Sequence, residues 1–375
     1  MPSWSWLRDL FGNKPDQGGL GLDLDQEGHA PPSRDTLAAI GELSRAVRNN
    51  PDAIEPYLAL GNLYRAQGEI ERAVELRANI IDRKGIPSAL KAKALFELGR
   101  DYKRSGFMDR ALGALEKARE LVGNEPAILG EMARLAAETG EYAAAADLYA
   151  RLGHPQAQAH YLVRLAVEGL AIQDVETGRQ LISQALAVHP GSPEAWAETV
   201  ILDLQAGFPP GSEERLAEAL DAIEPGLRFV VLEMLLGSLP LGVFEPPDRA
   251  FGPQGLAARL LRPLADHEPD VLLQYYGGRL RQALGDEAGA EVWFERCVRL
   301  NPDFWPARLE LLDRARHRTP PESSLDVQLE YFVSKAREVK RFACRVCGLK
   351  RDHVFYLCVR CQSWHSIGYR MRLTE

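Results

Sequence analysis

Four of the chain's five cysteines fall within eighteen residues: Cys344-Arg345-Val346-Cys347, ten further residues, then Cys358-Val359-Arg360-Cys361. Each Cys-x-x-Cys forms a tight turn with both thiolates aimed at one spot. Two such turns on facing arms of a hairpin bring four sulfurs into tetrahedral array, which suits a closed zinc site or a single-iron tetrathiolate site. One ion held by four cysteines, zinc or iron, is therefore expected at Cys344, Cys347, Cys358 and Cys361. Gly348 follows the second cysteine, where the turn needs a left-handed backbone. No secretory signal precedes these residues, so a reducing compartment and metal chemistry are expected in preference to two disulfides. A redox dithiol would need only one pair. The segment of about 35 residues is too short to hold a core unaided, so the ion should supply most of its folding free energy.

Catalytic patterns are thin elsewhere. The chain contains no Gly-x-Ser-x-Gly, no His-Glu-x-x-His and no phosphate loop ending in Gly-Lys-Ser/Thr. The glycine cluster Gly18-Gly19-Leu20-Gly21 lies in a linker with no helix after it. His353 and His365 flank the cysteines, but four thiolates already complete a coordination shell, so both are read as surface residues or neighbours of the ligands. A closed shell leaves no Lewis-acid position. The expectation is a protein that is not an enzyme and takes no small-molecule substrate.

What must position the cysteines is helical. The composition, 46% apolar and 26% charged, is ordinary for a globular chain of 375 residues. From Asp35 a pattern recurs at fixed offset. Tyr57, Leu60, Gly61 and Tyr64 lead to a Gly68 turn, then Ala73 and Ile80. Leu95, Leu98, Gly99 and Tyr102 lead to Gly106, Ala111, Leu115 and Ala118, and Leu129, Met132, Ala133 and Ala136 to Gly140, Ala145 and Tyr149. This resembles the tetratricopeptide repeat, a helix-turn-helix of about 34 residues. Small residues at its offsets 8 and 20 let two helices approach, and large ones at 4, 7, 11 and 24 fill the gaps between them. Later units are degenerate, with a Pro-Pro interruption at Pro209 and an insertion from Leu241 to Pro253, until the unit from Val271 recovers Gly278, Gly285, Ala290, Phe294, Cys297 and Pro302. Cys297 thus falls at a packing position and reads as core.

Such arrays leave a concave groove lined by first helices, at offsets 2, 5, 9, 12 and 13 of each repeat. Asn62, Arg65, Phe96, Arg100, Lys103 and Arg134 occupy such positions and are the candidate partner-binding strip, suited to carboxylates or an acidic peptide. The net charge is −8. Lys340 to Glu375 carries eight Lys/Arg against two acidic residues, so +6 sits at that end and −14 on the remainder. That basic end offsets a four-thiolate site or faces an acidic partner or anionic lipid headgroups. No stretch reaches the ~18–20 apolar residues of a membrane span, the best, Phe229 to Phe244, being broken by Glu233 and Pro240. Met1 to Phe11, with Trp4, Trp6, Leu7, Leu10 and Phe11, could touch a bilayer peripherally.

Both parts together resemble the lipopolysaccharide assembly protein B family. The matches are Leu60-Gly61-Asn62-Leu63-Tyr64-Arg65 with Gly68-Glu69-Ile70-Glu71-Arg72-Ala73, Leu98-Gly99-Arg100-Asp101-Tyr102 with Asp109-Arg110-Ala111, and Cys344, Cys347-Gly348, Phe355-Tyr356-Leu357-Cys358, Cys361, Trp364 and Ser366-Ile367. The resemblance covers roughly Asp35 to Ile367 and is weak between His154 and Leu260. It implies a scaffold at the cytoplasmic face of the inner membrane, moderating lipopolysaccharide synthesis as an adaptor between an FtsH-type protease and the lipid A deacetylase. The terminal module would be rubredoxin-like, with iron or zinc, and packed on the repeats. Family members begin with a transmembrane helix; here residues 1–11 stand in its place.

The expected fold is all-α, a tetratricopeptide-repeat solenoid with a small C-terminal four-cysteine zinc-ribbon or rubredoxin-like β module. Its parts are residues 1–33 (Trp-containing peptide and linker), 34–339 (array) and 340–375 (module). Two other functions share these residues: a rubredoxin-type electron carrier, and a nucleic-acid-binding zinc ribbon stacking bases on Phe355, Tyr356 and Trp364. Electron carriers stand alone or beside a second redox centre, and none is legible here. Tyr356 and Trp364 are more simply the core of a unit with few other apolar side chains. The adaptor reading is preferred, with protein partners and no nucleic acid.

Overall fold

The computed structural model describes residues 34–50, 53–239, 255–317 and 324–372, so the expectations for residues 1–33 and for the insertion at 241–253 lie outside it. Seventeen α-helices are found among the described residues. The first helices of successive repeats are α2 (Ile54–Ala66), α4 (Ser88–Arg104), α6 (Pro126–Glu138), α8 (Pro155–Ala171), α10 (Pro193–Gln205), α12 (Arg228–Gly237), α14 (Val271–Ala283) and α16 (Trp305–His317). Their second helices are α3 (Ile70–Ile81), α5 (Met108–Val122), α7 (Tyr142–Arg151), α9 (Val175–Val188), α11 (Ser212–Ala222), α13 (Leu256–Asp266), α15 (Glu287–Leu300) and α17 (Ser324–Arg337), with α1 (Arg34–Asn49) before them all. The architecture is a solenoid of tetratricopeptide-repeat type ending in a small β module.

One turn recurs and explains the period. Gly68, Gly106, Gly140 and Gly285 all take a left-handed backbone, φ 79–87°. The amide after each bonds a carbonyl five residues back, as in Glu69 N to Tyr64 O at 2.9 Å and Asp286 N to Arg281 O at 2.9 Å. This closure satisfies helix-end carbonyls while reversing the chain. The fourth repeat makes it without glycine: Gln173 holds φ 65°, and Asp174 N reaches Gly169 O at 3.0 Å. Between paired helices the small residues set the distance. A Cβ on Gly278 would lie 2.6 Å from the Phe294 ring, and one on Gly99 would lie 2.9 Å from Leu115. Gly278→Leu should therefore lower stability by about 1–3 kcal/mol in urea melts, although leucine is the better helix former; a variant as stable as wild type would show that this contact tolerates filling.

The first repeat departs from the pattern at its largest core position. Arg77 stands where the second repeat has Leu115, is fully buried, and would meet a Cβ on Gly61 at 2.6 Å. Its guanidinium donates to Leu58 O at 2.8 Å and Asn62 Oδ1 at 2.5 Å, and its Nε stands 3.4 Å from Asp101.

After α17 the chain forms β1 (Phe342–Cys344), β2 (Lys350–Arg351) and β3 (Ile367–Tyr369), an antiparallel sheet of order β2-β1-β3 with Phe342 opposite both Arg351 and Tyr369. Phe342, Ile367 and Tyr369 do not make a separate core. They belong to the largest apolar cluster of the array, with Phe229, Tyr275, Tyr276, Phe294 and Phe304. Phe342 stacks on Phe229 with ring centres 5.6 Å apart, and Tyr369 meets Tyr275 and Phe304 edge-on or tilted at 6.1 and 5.9 Å. The sheet thus lies against α12, α14 and Phe304 at the start of α16.

Candidate metal centre and interaction groove

The two Cys-x-x-Cys turns fold alike. Gly348 N bonds Cys344 O at 2.9 Å and Gln362 N bonds Cys358 O at 2.8 Å, with left-handed backbone at Gly348 (φ 71°) and at its counterpart Gln362 (φ 56°). The sulfurs of Cys344, Cys347, Cys358 and Cys361 all lie within 4.8 Å of one another. The Cys344–Cys361 and Cys347–Cys358 pairs stand 3.6 Å apart, free thiols rather than disulfides. Metal–sulfur bonds of about 2.3 Å give a tetrahedron with edges of about 3.8 Å, so the donor set fits a zinc or iron ion. Burial raises the Cys344 thiol, but the Ser366 hydroxyl at 3.2 Å and the Cys347 and Val346 amides outweigh it and bring it to about 6. Burial dominates at Cys358 and pushes it up to about 12. A bound cation would override both and hold all four as thiolates. Cys297 is fully buried, and burial pushes its thiol up to about 12, as befits an inert core residue.

Tyr356 and Trp364, expected inside the module, face out of it onto the array. Trp364 meets Tyr149, His160 and Tyr161 with ring centres 5.1–6.3 Å apart, and Tyr356 meets His160 at 5.9 Å. The four cysteines gather the module around one point, and these two aromatics face the array. His365, read as a surface or ligand-neighbouring residue, is 8% exposed and directed at the array instead. Its Nε2 lies 3.1 Å from Glu194 of α10, and its ring stacks on His189. His160 Nδ1 reaches the same carboxylate at 3.3 Å. Burial works to raise Glu194, but hydrogen bonds from His160 and His365 outweigh it and hold the carboxyl at about 2. Further along, Arg341 grips Glu233 of α12 through two hydrogen bonds of 2.7 and 3.2 Å, Trp305 Nε1 donates to Arg370 O at 3.2 Å, and Arg345 pairs with Glu224 at 3.0 Å. His353 is exposed beside Asp352.

The candidate strip of the N-terminal repeats forms an ionic ladder across α2, α4 and α6. Arg65, buried, reaches Glu97 at 2.7 Å and Asp101 at 2.8 Å, with Asn62 bridging Arg65 and Arg77. Arg100 stands 3.5 Å from Glu97. Lys103 links Glu131 and Glu138 at 3.3 and 2.6 Å, and Arg134 bonds Glu131. Although burial opposes it, Arg134 and Lys103 hold the Glu131 carboxyl below the usual range. Phe96 is half-buried against the neighbouring apolar cluster. The acids Glu97, Asp101 and Glu131 are the members of this ladder that reading cations alone passes over. Each directly follows a groove position on its first helix (Phe96, Arg100 and Gly130), and that spacing was the available signal.

No family model matches the chain. Lipopolysaccharide assembly protein B of Escherichia coli (strain K12) is 22% identical over 330 residues, 86% of this chain and 82% of that protein, and its counterpart in Escherichia coli O157:H7 matches to the same extent. The resemblance read from the sequence thus extends along most of both chains, and the repeat array and four-cysteine cluster agree with it. Among solved structures, a tetratricopeptide repeat protein from Parabacteroides merdae ATCC 43184 is similar over 69% of this chain and 97% of its own at 19% identity, TM-score 0.34. YrrB, described as a TPR protein with an unusual peptide-binding site, is similar over 51% and 96% at 18% identity, TM-score 0.35. No helix among the described residues is long and apolar enough to cross a membrane.

Proposed function

We propose that this chain is a non-enzymatic adaptor that regulates lipopolysaccharide synthesis at the cytoplasmic face of the inner membrane, bringing an FtsH-type protease to the lipid A deacetylase. The observation that carries the reading is the likeness to lipopolysaccharide assembly protein B over 86% of the chain. The geometry supports it. A zinc or iron ion at Cys344, Cys347, Cys358 and Cys361 would serve as a structural clasp, and the clasped module stiffens the C-terminal repeats. The array (34–339) then presents the ladder of its N-terminal first helices as a shaped, charged surface for protein recognition. Residues 1–11 would add peripheral membrane contact.

Arg100 and Arg134 are the ladder's accessible cations, 27% and 22% exposed, whereas Arg65 at 7% is structural. Arg100→Glu combined with Arg134→Glu should cut crosslinked capture of both partners from native membranes by about tenfold or more, as hot-spot charges do, with helicity unchanged by circular dichroism. Undiminished capture of both proteins would remove the ladder from the adaptor's binding surface.

A further inference from the structure

The second helices of the array pack through one stripe of residues three and four apart, and the last helix leaves part of that stripe bare. Ala114, Leu148, Leu260 and Trp293 hold one place in α5, α7, α13 and α15, each directly before a buried core residue, and all four are buried. In α17 that place, directly before buried Val333, belongs to Phe332, which is 61% exposed, with Val327 and Tyr331 nearby at 59% and 56%. The Tyr331 and Phe332 rings meet edge-on at 5.7 Å, and Val327 lies one helical turn before Tyr331. No described helix follows α17 before the sheet, and a repeat array needs a polar outer face on its terminal repeat to stay soluble alone. We infer that α17 is a self-association face, which docks antiparallel on α17 of a second copy of this chain. The inference goes beyond the adaptor reading and does not depend on it.

The rim of the patch selects that occupant. Glu330, Lys335, Arg337 and Glu338 are exposed, two of each sign. A bilayer or a protein face of single sign would meet two like charges there, whichever sign it carried, whereas a two-fold copy brings the same balanced set. The spacing lets the set match itself. Val327, Tyr331, Ser334 and Glu338 form the outer stripe of the helix, opposite Leu329, Val333 and Ala336. Glu330 and Arg337 share one flank of that stripe, and Phe332 and Lys335 share the other. Antiparallel helices related by a two-fold axis meet flank to like flank, so an axis midway between Glu330 and Arg337 sets each Glu330 against Arg337 of the other copy. The same axis lays each Lys335 over Phe332 of the other copy and puts Ser334, small enough for close approach, between the two Tyr331 rings. Glu330 already lies 3.4 Å from Arg316, and Arg337 bonds Asp313. Exposed ion pairs of this kind hold weakly, so both groups can take a second partner.

A single helix face on each side is small against the ~800 Å² per partner of a standard interface, so the dissociation constant should be on the order of tens of micromolar. Sedimentation velocity of full-length metal-loaded protein from about 1 to 300 µM should follow a monomer–dimer equilibrium. Phe332→Glu should weaken it by about thirtyfold or more, at unchanged melting temperature because the ring is mostly exposed. Glu330→Arg and Arg337→Glu should each weaken it by about tenfold, and an equimolar mixture of those two variants should recover most of the wild-type affinity, since each offers the charge that its own copy lacks. If Phe332→Glu proves unstable, this charge exchange decides alone. Monomer throughout the range would leave the patch to a lipid surface or another protein and overturn the inference. Dimerisation of Phe332→Glu at wild-type strength, or a mixture that associates no better than its two components apart, would overturn it equally.

Discussion

Cys358→Ser should strip hydrogen-exchange protection from the metal module and, with it, from α10, α12, α14 and α16, while α2 to α6 keep theirs. The expectation follows from where the apolar side chains of the module sit. Phe342, Ile367 and Tyr369 are 0%, 1% and 8% exposed, buried in a cluster whose other members come from the C-terminal repeats. Losing one thiolate removes a ligand from a centre of the kind worth about 10–16 kcal/mol in small zinc-dependent folds, comparable with the whole stability of a domain. Without the ion, nothing ties the two cysteine turns together, and the sheet that carries Phe342 and Tyr369 keeps only three short strands and its contacts with the array. Withdrawing one large aromatic from a core costs about 3–5 kcal/mol, so amides of α12 and α14 should lose about that much protection. Repeat arrays couple mainly to nearest neighbours, which confines the loss to the half the module touches. Chelator treatment of the wild type should reproduce the map. Loss limited to residues 342–372 would mean the array closes its own core; uniform loss along the chain would mean it unfolds as one unit.

The resemblance implied a module packed on the repeats, but not which repeats it touches or through which residues, and the reason is physical. The Cys-x-x-Cys spacing constrains four sulfurs locally, so the cluster was legible in eighteen residues. The repeat period was legible because a left-handed turn prefers glycine, and Gly68, Gly106, Gly140 and Gly285 mark it. Where Gln173 takes that conformation instead, the unit looks degenerate although its turn is intact. Arg77 is invisible for the opposite reason: a position defined by volume accepts a guanidinium once Asn62, Leu58 and Asp101 answer its donors. Docking is less legible still. Nothing local distinguishes an aromatic that fills a small module from one that fastens it elsewhere, and Trp364 and Tyr356 do the second. His365 and Glu194 are 171 residues apart in the chain, so neither announces the other. The cations of the candidate strip were selected by offset, but their acidic partners, one residue beyond the groove offsets of neighbouring helices, turn a basic strip into a ladder of mixed sign.

Glu194 should be the docking contact most sensitive to substitution. Its carboxylate is 2% exposed and receives His160 of α8 and His365 of the module, so one charge joins two repeats to the four-cysteine segment. Its folded pKa, about 2, lies below the ordinary 4.5. A depressed acid stabilises the folded state when ionised: the contribution is complete above pH 4.5 and is lost as pH falls from there through about 2. At about 1.4 kcal/mol for each pH unit between those two values, the full contribution is about 3 kcal/mol. Glu194→Gln keeps the shape and removes the charge, so near neutral pH it should cost about that much in urea unfolding and expose residues 342–372 to protease. The gap between wild type and variant should then narrow below pH 4.5. Thiolate protonation acts on both proteins and cancels in the difference, which separates this titration from metal loss. A gap that stays constant through the acid range, or widens in it, would show that the carboxylate does not fasten the module through its charge.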